Sequence, residues 1–409
     1  MKDDNQLAND TAQRVARESY GKLIAFLVKR TRDVAAAEDA LSEAFAAALD
    51  DWPRAVPDNP EAWLMAAAKR KIVDSVRKRQ TRSEGEKHLV LLQEELDAVS
   101  ASSTDIPDER LGLMFACAHP AIDAEIRSPL MLQAVLGLDA AAIASAFLVT
   151  PAAMGQRLAR AKQKIKKAGI SLRIPETTEM AERLDGVLEA VYAGFAQGWS
   201  EASALTEEAI WLGRVVVSLL PKQPEALGLL ALMLFLNSRR RARRTAEGDY
   251  VPLSEQNEKL WYDAEISEAE KLLHRASAYD AIGRYQLEAA IQSVHTNRRF
   301  TGVTDWPVVA RLYDGLYEIT HSPVVAINRA VAIAELQGPV AGLAAMKPFE
   351  SHAQFSTFQP YHAVRAELFS RSGSIYEAID AYNLAIGLSV DEAVRRYLLG
   401  KRAALVTAN

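Results

Sequence analysis

Residues 138–169, LDAAAIASAFLVTPAAMGQRLARAKQKIKKAG, predict two short helices joined by a tight turn. Thr150 is a helix-capping residue and Pro151 suits the first helical position, so the second helix is expected to begin at Pro151. Apolar residues then recur at three- and four-residue spacing and predict a face packed against a core. They are Met154, Leu158, Ala161 and Ile165. The stretch therefore predicts a helix-turn-helix.

The remaining side chains of that second helix are mostly polar and basic, and no acidic residue occurs between Ala140 and Pro175. Gln and Arg in its early turns suit base edges in the major groove, while lysines in its later turns suit phosphates. The candidate DNA contacts are Gln156, Arg157, Arg160, Lys162 and Lys164. A solvated amphipathic helix is the alternative, since most runs of charge are solvated. The coincidence of cap, turn and one-signed charge favours DNA contact.

The composition is typical of a soluble globular chain with two or three domains: 409 residues, 49% hydrophobic and 25% charged. Helix-forming residues dominate and no run of strand length alternates between apolar and polar, so the expected fold class is all-α. The N-terminal MKDDNQLAND lacks the features of a signal peptide, and no apolar run reaches about eighteen residues. We therefore expect a cytoplasmic protein with no membrane partner. A single cysteine, Cys117, excludes an internal disulfide.

Two helices of opposite charge are predicted between residues 14 and 82. The first is capped by Asp33 and presents an acidic face. The residues of that face are Glu38, Asp39 and Glu43. The second, PEAWLMAAAKRKIVDSVRKRQ, carries Trp63 near its start and a dense run of Lys and Arg near its end. An aromatic followed by basic residues suits single-stranded nucleic acid, although Trp63 taken alone is better explained as a core residue.

No feature of the sequence predicts catalysis. Cys117 and His119 are close in sequence, but two residues without further ligands do not predict a metal site, and a packed pair near a helix end is the better interpretation. The chain has no glycine-rich phosphate loop, and its seven histidines have no nucleophile partner. We therefore expect a protein that is not an enzyme and holds no metal or cofactor.

Two motifs in this order resemble a known family. AEDALSEAFAAAL followed by NPEAWLMAAAKRKIVDSVRKR resembles region 2 of the extracytoplasmic function (ECF) sigma factors, the small promoter-recognition subunits of bacterial RNA polymerase. LDAAAIASAFLVTPAAMGQRLARAKQKIKKAGI is similar to their region 4. The resemblance implies region 2 in residues 1–82, a linker in residues 83–108, and region 4 with its helix-turn-helix in residues 109–174.

The resemblance also implies roles for individual residues. Contact with the clamp helices of the polymerase β′ subunit is expected from Asp39, Glu43 and Phe45. Capture of the minus-10 element is expected from loop 53–60 with Trp63, Lys69, Arg70 and Arg77. Reading of the minus-35 element falls to the candidate DNA contacts of the helix-turn-helix, and the β flap is a further expected partner. Many members of the family have asparagine at the position of Arg70, which leaves base preference there open.

The remaining residues, 175–409, resemble the C-terminal extension of one ECF subgroup, which ends in tetratricopeptide-like (TPR-like) repeats. We expect a helical domain in residues 175–300 and repeats in residues 301–409. The last unit shows the repeat spacing best, in Ala366, Phe369, Gly373, Ile375, Ala378, Tyr382 and Ala385. Small residues let paired helices approach and aromatics fill the gaps between them. The arginine run 239–244 fits either an acidic or nucleic-acid partner or a solvated helix end.

Two functional hypotheses follow. The first is a sigma factor that directs RNA polymerase to promoter DNA and is regulated in cis by its C-terminal domain, through an intramolecular contact that inhibits or a scaffold that activates. The second is a helix-turn-helix regulator or TPR adaptor that binds DNA and a protein or small ligand without polymerase. The acidic helix and the Trp63 helix favour the first, because an adaptor has no need of them.

Overall fold

The computed structural model of the protein describes residues 2–79, 109–147, 149–171, 173–197, 204–350 and 353–407. Within those ranges the regular elements are helices, and strand-like pairing is limited to an isolated bridge between Arg244 and Tyr250. The all-α prediction is confirmed. The predicted linker 83–108 lies outside the described residues. No helix among the described residues is both long enough and apolar enough to span a membrane.

The chain divides into two compact units. The first comprises Met1–Trp199 with Ala204–Val215, and the second comprises Ser200–Ser203 with Val216–Asn409. This division does not test the predicted domain bounds at residues 82, 108, 174 and 300, which stay predictions.

Helices account for almost all of the first unit within the described ranges. In chain order they are α1 Lys2–Thr31, α2 Val34–Asp51, α3 Pro60–Arg79, α4 Arg110–Cys117, α5 Ala124–Leu136, α6 Ala140–Ala146, α7 Pro151–Lys167, α8 Thr177–Gln197 and α9 Ala204–Leu219. The last of these continues into the second unit. Helices α1, α2 and α3 pack on one another around Phe26, Leu41 and Leu64, which are fully buried.

Short polar residues set the starts of three of these helices. The carboxylate of Asp33 accepts a hydrogen bond from Ala36 N at the start of α2, and Asn59 Oδ1 accepts one from Ala62 N at the start of α3. Thr150 Oγ1 accepts from Ala153 N, with Pro151 at the first position of α7. Each bond satisfies a backbone N–H that has no partner within its own helix. The predicted start of α7 is confirmed.

The α1–α3 module and the α4–α7 module of this unit pack directly against each other, with α1 lying on α4 and α5. Two glycines permit this. A Cβ on Gly21 would lie 2.1 Å from the carbonyl oxygen of Val135, and one on Gly137 would lie 2.8 Å from the ring of Tyr20. Gly137 also ends α5 with a φ of 72°, a conformation that glycine adopts without strain. Side chains at either position would force the modules apart.

Helix α8 extends the same unit. It packs on α4 and α5, and the hydroxyl of Ser128 donates to the carbonyl of Ala190 at 3.1 Å. Its buried face contains Val187, Val191 and Phe195. Residues 177–197 therefore belong structurally with the helices before them.

The second unit is a series of packed helices, each lying on its neighbours in sequence. They are α10 Pro224–Ser238, α11 Asp263–Ser277, α12 Arg284–Thr301, α13 Trp306–Thr320, α14 Pro323–Gln337, α15 Pro339–Met346, α16 Gln359–Arg371, α17 Ile375–Leu388 and α18 Glu392–Thr407. Helices α16 and α17 pack as a pair around Ala366, Tyr382 and Ala385, all buried, with the turn at Gly373 in the left-handed region. The spacing of small and aromatic residues in the last predicted repeat thus corresponds to the packed pair of helices α16 and α17.

Candidate nucleic-acid interface

Helix α7 has the two faces that its sequence predicts. Met154, Leu158, Ala161 and Ile165 are buried against the rest of the unit. The exposed face carries Gln156, Arg157, Arg160 and Lys164. The N-terminal half of α7 carries short side chains and arginines, and its C-terminal half carries lysines. A DNA major groove that receives the N-terminal half would therefore contact the arginines before it met the lysines.

Lys162 does not share that exposed face. Its side chain is 11% exposed, and its Nζ forms an ion pair with Glu38 of α2, itself 17% exposed. One helical turn further on, Lys166 Nζ lies 2.5 Å from Asp33 Oδ2. Lys162, one of the five predicted DNA contacts, is therefore paired with a carboxylate inside the first unit and does not lie on the exposed basic face.

The sequence spacing indicates that Lys162 and Glu38 each lie at the edge of a packed face, although it does not specify what each one faces. Lys162 lies four residues after Leu158 and three before Ile165, so it flanks the buried stripe of α7. Glu38 lies four residues after Val34 and three before Leu41, at the matching position on α2. A charged residue at the edge of a buried stripe faces whatever packs next to it. Sequence reasoning grouped Glu38 with the exposed acidic residues and missed its partner.

The Glu38–Lys162 pair is largely buried. Burial raises the pKa of Glu38, an effect that the neighbouring Lys162 opposes. Burial also raises the pKa of Tyr20, with a further contribution from the charge of Glu38, and raises the pKa of the Cys117 thiol to about 12. Tyr20 and Cys117 come from α1 and α4, so four helices of the unit meet near this pair.

Cys117 is fully buried, and Nδ1 of His119 accepts a hydrogen bond from Ala121 N at 3.0 Å. Cys117 is thus a packed side chain, and His119 is a hydrogen-bond acceptor for the neighbouring backbone. Among the described residues no three His, Cys, Asp or Glu side chains come together as a metal site would require.

The predicted polymerase-docking residues lie on the outer side of α2. Asp39 and Glu43 are exposed, and Phe45 is half-buried. Glu43 pairs with Lys71 of α3 at 3.0 Å, with both side chains about half exposed. Pairs exposed to this degree contribute little to stability, so this one can be exchanged for another partner at small cost.

The predicted minus-10 residues are in different environments. Trp63 is half-buried, and its ring meets that of Trp52 edge-on at 5.6 Å between centroids. Arg70 is exposed, with Nε donating to Ala66 O at 3.2 Å, whereas Lys69 is buried at 8% exposure. The side chain of Arg77 lies outside the described residues. Among the members of this group whose side chains are described, Trp63 and Arg70 therefore reach the surface.

The arginine run of the second unit is buried only in part, since Arg241 and Arg244 are exposed. Arg239 is 5% exposed and its Nη2 donates to Gln292 Oε1 at 2.5 Å, while Arg243 Nη2 donates to the carbonyl of Leu236. Burial and the nearby Arg298 lower the pKa of Arg239 to about 10, and burial lowers that of Arg243 to about 9. These side chains are part of the interior because they follow α10, which is apolar all round and almost wholly buried.

Comparison with protein families matches residues 15–82 to Sigma-70 region 2 and residues 183–277 to a family of unknown function (DUF6596). The chain is 36% identical over 385 residues to the uncharacterized protein R00370 of Rhizobium meliloti (strain 1021). That alignment covers 91% of this chain and 90% of the relative. No solved structure matches the chain.

Proposed function

Since the chain belongs to the family of this Rhizobium meliloti relative and carries a sigma-70 region 2, we propose that it is an ECF-type sigma factor, a promoter-specificity subunit of RNA polymerase regulated in cis by its C-terminal helices. The observation that carries the proposal is the region 2 match over residues 15–82. The α6–α7 pair, with its exposed basic face, follows it within the same compact unit.

In this proposal α2 docks on the polymerase. Asp39 and Glu43 supply an exposed acidic surface, and the half-buried Phe45 beside them supplies an apolar contact. Interfaces gain specificity from such complementary charge and gain affinity from buried aromatic anchors.

The two DNA contacts use different chemistry. Trp63 offers part of an aromatic face on which an unpaired base of the minus-10 element stacks, and Arg70 lies about two turns further along α3, exposed, to meet the backbone. Lys69 is buried in this conformation, so we assign no backbone contact to it here. Gln156, Arg157 and Arg160 read the minus-35 element in the major groove, and Lys164 meets phosphate.

Reconstituted transcription tests this function. Purified protein with core RNA polymerase and a library of bacterial genomic fragments is expected to initiate specific transcripts that core enzyme alone does not make. The double variant D39A/E43A should lose initiation because it removes the docking charge. D50A/D51A, which removes two exposed charges from the end of the same helix, should keep it. Protein that binds duplex DNA but never initiates would favour the helix-turn-helix regulator instead.

Regulation in cis is tested by truncation. Because α8 packs on α4 and α5, a truncation at residue 175 would expose its buried partners, whereas removal of residues 220–409 keeps the first unit and the whole of α9. Transcription from the truncated protein is expected to rise if the second unit inhibits and to fall if it activates. Unchanged transcription by a folded truncation, verified by circular dichroism, would rule out regulation by this segment.

A further inference from the structure

A short non-helical segment near the beginning of the second unit reaches across to α18. Residues 244–250 lie between α10 and α11, and the isolated bridge between Arg244 and Tyr250 folds them into a tight turn. We call these residues the tip. Arg244 and Asp249 of the tip bond to residues 147 positions later in the sequence, at the start of α18 and within it. The tip therefore links helices that are distant in sequence.

An ion pair and a ring contact seat the tip on α18. Arg396 donates from Nε and Nη2 to Asp249 Oδ1, at 3.0 and 2.7 Å. The rings of Tyr250 and Tyr397 meet edge-on, with their centroids 5.4 Å apart. An acidic residue followed by an aromatic one on the tip thus meets a basic residue followed by an aromatic one on the helix.

The charged contacts of the tip lie near the surface. The side chains of Arg396 and Asp249 are 50% and 55% exposed. A second pair, in which Arg244 Nη2 lies 2.6 Å from Asp391 Oδ2, is 40% and 31% exposed. Ion pairs exposed to this degree contribute little to stability, and water can solvate both partners when they separate. Another segment of similar charge can therefore take the place of the tip at small cost.

The tip holds its own shape without α18. Thr245 N donates to Asp249 O at 2.9 Å, and the hydroxyl of Thr245 accepts from Asp249 N at 3.2 Å. Gly248 has a φ of 86°, which glycine adopts without strain in such a turn. These backbone groups stay paired when the tip leaves the helix, so release does not require the turn to unfold.

The residues that follow the tip are held more firmly. Arg298 of α12 has a side chain that is 11% exposed, and its Nη2 donates to Leu253 O at 2.6 Å. Its Nε pairs with Glu258 at 2.8 Å, and its guanidinium lies 5.2 Å from the ring centre of the buried Trp261. These contacts anchor the base of the segment on α12. The tip is therefore a tethered occupant of α18, present at high local concentration.

The surface of α18 continues beyond the tip with the same chemistry. The helix contains four basic residues and one acidic residue. Leu399 and Val406 follow Arg396 by three and ten positions, which places them on the same side of the helix, and both are exposed. A basic surface with exposed apolar side chains suits a segment that combines carboxylates with aromatic or aliphatic groups.

We propose that α18 is a docking surface for an extended segment of a partner protein in which an acidic residue precedes an aromatic one, and that the tip occupies this surface in cis until such a segment displaces it. The partner's carboxylate replaces that of Asp249 on Arg396, and its aromatic ring replaces that of Tyr250 against Tyr397.

Peptide binding to the full chain tests this surface. The probe is a fluorescent peptide of residues 243–252, RRTAEGDYVP, followed by anisotropy. D249A/Y250A removes the side chains that seat the tip and should bind the peptide about tenfold more tightly than the unmodified chain, because a tethered competitor is lost. E247A, which removes a neighbouring exposed carboxylate of the tip, should bind it as weakly as the unmodified chain.

Two changes show where the peptide binds. Adding R396A to D249A/Y250A should abolish the gain in affinity, because the peptide carboxylate loses its donor. A peptide with alanine in place of its aspartate and tyrosine should bind all of these proteins weakly.

A charge exchange guards against a variant that is merely misfolded. Probes at A246C and A403C, both exposed positions, should report one short distance in the otherwise unmodified chain, where the native Cys117 is buried. D249R should lengthen that distance by repulsion from Arg396, and D249R/R396D should restore it.

The proposal is overturned if the peptide binds D249A/Y250A no better than E247A, if R396A leaves that binding intact, or if D249R/R396D stays as open as D249R. It is also overturned if DNA displaces the labelled peptide at lower concentration than unlabelled peptide does, because α18 would then be a nucleic-acid surface. None of these measurements uses polymerase, so their outcome is independent of the transcription test.

Discussion

Two positively charged segments of this chain, α7 and residues 239–244, have similar density of charge, but the arginines of α7 are exposed and those of the second segment are buried in part. Gln156, Arg157 and Arg160 of α7 are exposed, because the helix has one apolar stripe and three other sides. Arg239 is buried, because it directly follows a helix that is buried almost throughout. The residues that precede and flank a charged segment, more than its charge, decide whether it faces solvent.

The largest expected difference between the two segments is in stability, measured after one arginine is replaced in each. R239A removes a buried side chain and leaves Gln292 without its donor, so we expect the free energy of unfolding of the second unit to fall by about 2–5 kcal/mol. R160A, on the exposed face of α7, should change stability by about 0.5 kcal/mol or less. Urea unfolding followed by circular dichroism measures both. Equal losses in the two variants would erase the contrast.

For DNA affinity the order of the two segments should be reversed, with the larger effect in α7. R157A is expected to weaken binding to a selected duplex by about 1–3 kcal/mol if Arg157 contacts a base edge. R241A changes an exposed arginine of the other segment and should leave binding unaltered. Electrophoretic mobility shifts over a salt series provide the measurement. If both variants bind as the unmodified protein does, Arg157 is not a base contact.

Acid should weaken the second unit through His295. Burial, together with Arg239 and Arg298, lowers the pKa of His295 to about 4, against about 6.5 in an unfolded chain. The unfolded state therefore binds the proton first, and stability present above pH 6.5 is lost as the pH falls toward 4. The loss between pH 7 and pH 5 is expected to be about 2 kcal/mol. H295Q should flatten the pH dependence of unfolding, and an unchanged slope would contradict this origin.

Much of the fold was predictable because it depends on local spacing. The start of α7 at Pro151 and its buried stripe follow from residues a few positions apart, and the all-α class follows from composition and the absence of strand patterns. The pairing of Glu38 with Lys162 depends on which helix packs beside α7, 124 residues away in sequence, and no local pattern specifies that. The environment of Arg239 likewise depends on α12, which contributes Gln292 and His295.

The smallest expected effect concerns capping at the N-terminal ends of helices α7 and α10. Helix α7 begins with a side-chain cap at Thr150, whereas the N-cap residue of α10, Gln223, makes no such bond. T150A should therefore destabilise the first unit by about 1 kcal/mol, because Ala153 N loses its acceptor at an exposed helix end. Q223A should have almost no effect, since the Gln223 side chain makes no hydrogen bond at the start of α10. Thermal unfolding compares them, and a Q223A loss equal to that of T150A would show that capping matters equally in both helices.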